Sequence, residues 1–299
     1  MTDNPYRSGT VALIGAPNAG KSTLLNLLVG RKVSITSRRP QTTRNRVVGV
    51  RTSERAQLIL VDTPGMHAQQ KQVLNRVINR NARNSLHDAD LVVLVITASG
   101  WRDSDEFPLH LLEEYGGNVV LAINKIDRLP QKDVLLPLIE TSNARRRFTD
   151  IVPISALRGD NIDTLIAVLH SHLPIAEPGY PADQFSGHSD KFLSTELIRE
   201  QLFEQLGQEL PYATAIELEE FSVGRDRLDM SAVIWVNKAS QKPIVLGRGG
   251  SRIREIGRRA RLQIERSLGT RVHLALWVKV REGWANSVVA IQALGYTED

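Results

Sequence analysis

From Thr10 to about Leu173 the chain alternates short unbroken apolar runs with longer stretches of helical period. Runs such as Val11-Ala12-Leu13-Ile14 and Leu58-Ile59-Leu60-Val61 have the length of buried strands. The pattern predicts strands over Thr10–Gly15, Arg46–Thr52, Ala56–Asp62, Leu91–Thr97, Val119–Asn124 and Ile151–Ser155. Between them it predicts helices over Lys21–Val29, Lys71–Leu86, Glu106–Tyr115, Val134–Arg146 and Ile162–His172. In Lys71–Leu86, the residues Leu74, Ile78, Ala82 and Leu86 recur every four positions, as on a helix lying against a sheet. Such alternation describes an α/β domain. Its sheet is mostly parallel, helices cover both faces, and ligands bind at the carboxyl ends of the strands.

The alternation stops at Pro174, Pro178, Gly179 and Pro181, followed by Ser186-Gly187-His188-Ser189, a linker composition. It restarts with a helix from Phe192 to Leu206, whose Leu193, Leu197, Ile198, Leu202 and Leu206 are spaced as one face. Strands Thr214–Val223 and Leu228–Val236 join through Gly224-Arg225-Asp226. An apolar turn, the glycine loop Gly247–Gly250, a helix from Ser251 and a strand Val272–Val280 complete a smaller α+β domain. The division is therefore a first domain over 1–173, a linker over 174–190 and a second domain over 191–299. Trp235, Trp277 and Trp284 fall on strands or a last helix, where packing in or beside the core is the expected use.

Composition narrows the class. With 299 residues, 41% of them hydrophobic, the chain has room for two soluble domains. No stretch approaches the ~20 apolar residues of a membrane span. Met1–Gly9 lacks the apolar centre of a secretory signal. The absence of cysteine excludes disulfides and thiolate metal sites and fits a reducing, cytoplasmic compartment. His170 and His172 have no neighbouring ligands in sequence and read as surface residues. The net charge of +5 makes polyanions plausible partners.

Chemistry enters at Gly15-Ala16-Pro17-Asn18-Ala19-Gly20-Lys21-Ser22, a G-x-x-x-x-G-K-S phosphate loop between a strand and a helix. Its glycines let backbone N–H groups converge on a phosphate, and the helix opening at Thr23 adds its positive end. Lys21 would reach the β- and γ-phosphates, and the Ser22 hydroxyl would ligate Mg²⁺. The polar, basic segment Arg38-Arg39-Pro40-Gln41-Thr42-Thr43-Arg44 predicts a mobile, solvated loop. In it Thr43, or else Thr42, could set its hydroxyl on Mg²⁺ and its N–H on the γ-phosphate. Asp62-Thr63-Pro64-Gly65 closes a strand as D-x-x-G. Asp62 can hold Mg²⁺ through water and the Gly65 N–H can meet the γ-phosphate, although D-T-P-G is also a good turn. The following Met66 has no hydrogen bond with which to orient water, and His67 is a weak substitute. Hydrolysis would then draw on another group, an ion or a partner.

Asn124-Lys125-Ile126-Asp127 reads N-K-x-D. A carboxylate at Asp127 can accept both N1–H and the exocyclic amine of guanine, a donor pair that adenine lacks. Asn124 can contact the base and brace the loop, and the Lys125 stem can cover the base. In Ser155-Ala156 the Ala156 N–H could meet guanine O6. Phosphate loop, threonine, D-x-x-G and N-K-x-D in this order point to GTP and GDP as ligands.

Gly247-Arg248-Gly249-Gly250 is a G-x-x-G loop leading into a helix at Ser251-Arg252. In KH modules such a loop clamps the backbone of a short single strand. From Lys238 to Arg281 twelve Lys and Arg face two acids, Glu255 and Glu265, a surplus of ten in a chain whose total is +5. The positive charge is local, and the expectation is that it surrounds the glycine loop. A charge run is usually a solvated face and a lone G-x-x-G is weak; together they favour nucleic acid. The order helix, strand, strand, helix, loop, helix, strand is that of a type II KH domain. Two alternatives stay open: a GTPase that docks on membranes or proteins through its second domain, and an RNA-binding scaffold with an inert nucleotide fold.

Through Gly15–Ser22, Gln41-Thr42-Thr43-Arg44, Asp62–Gly65, Asn124–Asp127, Ser155-Ala156 and Gly247–Gly250, the chain resembles the Era family of bacterial ribosome-assembly GTPases over nearly its whole length. The resemblance implies a P-loop GTPase domain fused to a C-terminal KH domain, with Mg²⁺-dependent hydrolysis of GTP. It implies binding near the 3′ end of 16S ribosomal RNA, assistance to 30S assembly, and closure by GTP into an RNA-binding form. A cytoplasmic monomer, loosely associated with the inner face of the cytoplasmic membrane, is part of the same expectation. Relatives also lack the catalytic glutamine, and an asparagine at the place of Asn18 helps hold a K⁺ ion, although Asn18 could equally be a loop-bracing amide. Lys21, Thr43, Gly65 and Asn18 are then the catalytic set. The extra glycine, Gly249, departs little from the family pattern.

Overall fold

The computed structural model describes residues 5–37, 39, 42–64, 80, 83–207 and 209–293. The apolar runs form a six-stranded sheet of order β2-β3-β1-β4-β5-β6. Its strands are β1 Arg7–Ile14, β2 Val47–Thr52, β3 Ala56–Asp62, β4 Leu91–Thr97, β5 Asn118–Asn124 and β6 Asp150–Ile154. β2 runs antiparallel to β3, and the other pairings are parallel. β4 is buried at every position, as a central strand covered on both faces must be. On one face Ile14, Val92, Leu94, Ile96, Leu121 and Ile123 form a core with residues of two helices, α2 (Asp103–Leu111) and α3 (Leu135–Arg145). The alternate residues Val11, Leu13, Val93 and Val95 turn to the other face. That face is covered by α1 (Lys21–Val29) and α4 (Ile162–His172), whose Leu24, Leu25, Leu28, Leu165 and Leu169 are fully buried. Parallel pairing brings the ends of β1, β3, β5 and β6 to one side of the sheet.

Several expectations need correction. α2 starts three residues earlier and ends four earlier than its period suggests. The Asp105 carboxylate accepts the Arg102 N–H at 2.9 Å and both forks of the Arg102 guanidinium, closing a first turn at Asp103. Beyond Leu111 the chain continues in short turns, with the Tyr115 N–H on the Leu112 carbonyl. Of the helix expected over Lys71–Leu86, Leu74, Ile78 and Ala82 lie outside the described residues, while Leu86 is buried in the core beside α2. His170 and His172 are half-buried rather than surface residues. His172 meets Asp150 at 2.8 Å, and burial, with Arg51 nearby, lowers the His170 pKa.

The Pro-rich segment is not free chain. Gln57 accepts the Tyr180 N–H at 2.9 Å and donates to its carbonyl at 2.8 Å. The Val50 N–H donates to Phe185 O at 3.0 Å, and the Phe185 ring lies under Arg31. The first compact unit accordingly runs to Gly187, and the second takes up the chain at His188.

The second unit contains α5 (Asp190–Gln205), β7 (Thr214–Val223), β8 (Leu228–Val236), α6 (Lys242–Leu246), α7 (Ser251–Leu268), β9 (Val272–Val280) and α8 (Val288–Ala293). β7 pairs antiparallel with β8, which pairs parallel with β9. α5 opens before Phe192 because the Ser189 hydroxyl caps it, accepting the Phe192 N–H at 3.3 Å. Trp284, in a 3₁₀ turn before α8, is 1% exposed and donates to Ala213 O. Trp235 is half-buried and donates to Glu217 at 2.7 Å. Trp277 breaks the packing expectation at 59% exposed, since the pleat of edge strand β9 sends Val278 inward and Trp277 out. Trp284→Ala should lower the stability of this unit by about 3–5 kcal/mol, read from urea unfolding followed by circular dichroism.

Candidate functional site

The loop after β1 is shaped by backbone conformations that few residues adopt. Gly15 has φ 144° and Gly20 has φ 108°. A Cβ on Gly15 would stand 2.3 Å from Val95 O. Between them Asn18 is exposed and holds φ 60°. Lys21 is buried and donates to the carbonyls of Gly15 (3.0 Å) and Ala16 (3.1 Å), curling the loop around its own ammonium. Pro17, Asn18 and Lys21–Thr23 face Ile35–Ser37, Thr42 and Thr43 across a cleft.

At the end of β3, Asp62 gathers hydroxyls. Its Oδ2 accepts from Ser22 at 2.5 Å, Ser34 at 3.0 Å and Thr43 at 3.4 Å, and Ser22 and Thr43 are 3.1 Å apart. Oδ1 is buried with no hydrogen-bond partner among the described residues. Burial raises the Asp62 pKa, opposed by the Lys21 charge and the three hydroxyls. Burial lowers that of Lys21, opposed chiefly by Asp62. Of the two threonines considered, Thr43 has the hydroxyl at Ser22 and Asp62, whereas Thr42 donates to Arg39 O at 2.9 Å. Thr42, Thr43 and Arg44 are buried, so this end of the expected solvated loop is packed. Thr63 spends its hydroxyl on Leu13 O at 2.9 Å, tying β3 to β1, and Pro64 is buried. Gln41, Gly65, Met66 and His67 lie outside the described residues.

Sequence reasoning missed the support for Asp62. Asn26 accepts the Val33 and Ser34 N–H groups (2.8 and 2.9 Å) and donates to Ser34 O at 2.7 Å, fixing Ser34 against Asp62. The available signal was a polar residue interrupting Leu24-Leu25-Asn26-Leu27-Leu28. Nothing local marks Ser34, nor the Arg102–Asp105 pair, whose charges act on Lys21.

The loops after β5 and β6 meet the phosphate loop through Asn124. Its Nδ2 donates to Ala19 O at 2.8 Å, and its Oδ1 accepts from the N–H groups of Lys125 (2.7 Å) and Ala156 (2.9 Å). The Ala156 N–H, expected toward a base, is thus engaged by Asn124. Lys125, at φ 70°, donates to Asn18 O. Burial, with Arg128 and Arg102 nearby, lowers its pKa. Asp127 accepts the Ser155 hydroxyl at 2.7 Å.

In the second unit the Gly247–Gly250 loop needs its glycines. Gly247, Gly249 and Gly250 have φ of 71°, 57° and 75°, and a Cβ on Gly247 would stand 2.9 Å from Arg252 N. The Gly250 N–H closes the loop on Gly247 O at 3.1 Å, and Ser251 begins α7. Arg248 and Arg254 are exposed. Arg252 donates to Ile244 O at 2.5 Å and braces the end of α6. The basic surplus does not simply surround the loop. Hydrogen bonds from Arg258 and Arg259 hold Glu255 at a pKa of about 2, Arg261 pairs with Glu265, and only six of the twelve basic residues, Arg252 to Arg266, lie along α7.

Residues 10–125 match the family described as 50S ribosome-binding GTPase, and residues 209–285 match the KH domain. GTPase Era of Xanthomonas axonopodis pv. citri is 50% identical over 293 residues, 98% of each chain. That of Stenotrophomonas maltophilia is 49% identical over 292 residues, again 98% of each. A crystallised variant of Aquifex aeolicus Era bound to GDP·AlF4⁻ is 38% identical with a TM-score of 0.93, covering 97% of this chain and 99% of its own. Era in complex with MgGDPNP and nucleotides 1506–1542 of 16S ribosomal RNA gives the same identity and TM-score, covering 98% of this chain and 99% of its own. With both domains matched and identity near one half over almost every residue, the chain belongs to the Era family of GTPases.

Proposed function

We propose that this GTPase is a switch that binds the 3′ region of 16S ribosomal RNA through its KH domain and assists 30S assembly. The observation that carries the reading is the junction at Asn124, which joins a phosphate loop to a guanine-selective loop in a chain that also bears a G-x-x-G module. The relative bound to MgGDPNP and the 16S segment supports the partner. We assign 1–173 to the GTPase domain, 174–190 to the connection and 191–299 to the KH domain, a division close to the compact units.

Phosphates are received by the loop Gly15–Ser22 and Thr23, through its N–H groups other than at Pro17, which has none, with Asp62, Thr63, Pro64 and Gly65 closing the γ side. Mg²⁺ fits Ser22, Thr43 and Asp62. Their oxygens lie together, and Asp62 Oδ1 is a buried acceptor without a donor among the described residues, which an interior rarely tolerates. Bound there, Mg²⁺ would supply neutralisation of charge on the phosphate oxygens. Lys21 exchanges its loop carbonyls for phosphate oxygens, and the Thr43 and Gly65 N–H groups hold the γ-phosphate. Water adds to the γ-phosphorus as the bond to the β–γ bridging oxygen breaks, so positioning and charge carry the rate. Met66 cannot orient that water. The exposed Asn18 supports a K⁺ ion beside the phosphates as the compensating charge.

Asp127 accepts the guanine N1–H and amine while retaining Ser155. The Lys125 stem covers the base, and the Ala156 N–H would exchange Asn124 Oδ1 for guanine O6. Gly247, Arg248, Gly249, Gly250 and Ser251 clamp the RNA backbone, with Arg252 bracing the loop. The triphosphate state favours the RNA-binding form. A cytoplasmic monomer with loose peripheral membrane contact belongs to the same reading; among the described residues no helix is long and apolar enough to cross a membrane.

Asp127→Asn should move preference from guanosine to xanthosine triphosphate by about a hundredfold or more in relative Kd, and unchanged GTP preference would refute the base assignment. Arg248→Asp with Gly249→Asp should weaken binding of the 1506–1542 RNA by about tenfold or more while GTP affinity holds. Wild-type protein should bind that RNA more tightly with a non-hydrolysable GTP analogue than with GDP, and equal affinities would remove the switch. Hydrolysis should run faster in K⁺ than in Na⁺; equal rates dismiss the ion at Asn18.

A further inference from the structure

The basic surplus of the second unit is divided in space. One part lies at the glycine loop, where α7 begins. Another gathers near the opposite end of α7, about 24 Å along its axis from Gly250 to Arg266. There Arg261 and Arg266 of α7, Arg271 before β9 and Arg227 before β8 line one open cleft of about 980 Å³. The acid within it, Glu265, is taken up by Arg261 at 2.9 Å and by the Val272 N–H at 3.0 Å. Asp229 answers Arg227 at 3.0 Å. Arg266 and Arg271 are exposed and have no ion-pair partner among the described residues. A helix C-terminus attracts cations, which would account for Arg266 but not for arginines brought there by two other elements. Crowded like charges cost the fold stability, so the cluster calls for a ligand.

We propose that this cleft binds the phosphate backbone of RNA as a second contact, separate from the glycine loop; it rests on the ribosomal-RNA reading above. All four cations are arginine, whose planar fork pairs with phosphate through two hydrogen bonds. The breadth of the cleft suits a run of nucleotides rather than a single ion. Its apolar member, Val272, is 6% exposed and offers nothing for a lipid surface to take up. A KH loop grips about four nucleotides, so the second contact rewards a longer RNA that reaches the far end of α7.

The test uses the full chain, the 1506–1542 RNA and the double variant Arg266→Ala, Arg271→Ala. Affinity should fall about tenfold, and the log–log salt dependence should become shallower by about 2, one counterion step per lost phosphate contact. The urea midpoint should hold or rise as like charge is removed, and RNA-free GTP hydrolysis should not change. Arg266→Lys with Arg271→Lys should restore the salt slope but not the full affinity. Wild-type affinity and slope in the alanine variant overturn the proposal. So does loss of binding to phosphatidylglycerol vesicles with RNA affinity intact, which assigns the cleft to a membrane instead. Failure of wild-type protein to bind the RNA is a different result: it removes the ribosomal-RNA reading, and this inference with it.

Discussion

One carboxamide holds the nucleotide end of this molecule together. Asn124 closes β5, donates to the phosphate loop at Ala19 and accepts from its own loop at Lys125 and from the loop after β6 at Ala156. It is 2% exposed, so water scarcely competes, and each bond is worth about 1 kcal/mol net and more if left unmade. Gly20 follows from this constraint, since a Cβ there would stand 2.2 Å from the Asn124 Nδ2. Lys125 adds a second tie to Asn18 O. The two loops cannot shift independently, and a ligand that engages one orders the other.

A second constraint is electrostatic. Lys21 and Asp62 are both buried, and each alone would be driven toward its neutral form. Together they offset one another, and the hydroxyls of Ser22, Ser34 and Thr43 solvate one oxygen of the carboxylate, Oδ2. Asn26, through three hydrogen bonds to the 33–34 backbone, keeps Ser34 in that shell. The phosphate loop is therefore preorganised before any polyphosphate arrives.

What could be read in advance was local. The phosphate loop, Asp62 and N-K-x-D are contiguous patterns set between apolar strands, and β3, β4, β7, β8 and β9 begin and end where their patterns do. What escaped depends on partners distant in the chain. Asp105 lengthens α2 at its start by a side-chain contact that hydrophobic period cannot register. Arg252 counts like any other charge in a linear tally, yet one N–H of its guanidinium braces Ile244 O. The same tally merges the two ends of α7, because it does not know that eighteen helical residues separate them in space. Pro and Gly suggested a tether, but Gln57 and Tyr180, far apart in sequence, bind each other twice.

That packed segment also settles how the sheet meets other molecules. β2 is an outer strand, and an open outer strand is a template on which another chain can add its own, the first step toward fibrils. Here Val50 gives its outward N–H to Phe185, while the Val48 carbonyl receives the Gly187 N–H at 3.0 Å and the Ser186 hydroxyl at 3.3 Å. Pro178 and Pro181, having no N–H, are poor partners for any onward ladder. The connector between domains thus doubles as a built-in guard against self-templated growth, and lengthening it by insertion would endanger solubility before it touched catalysis.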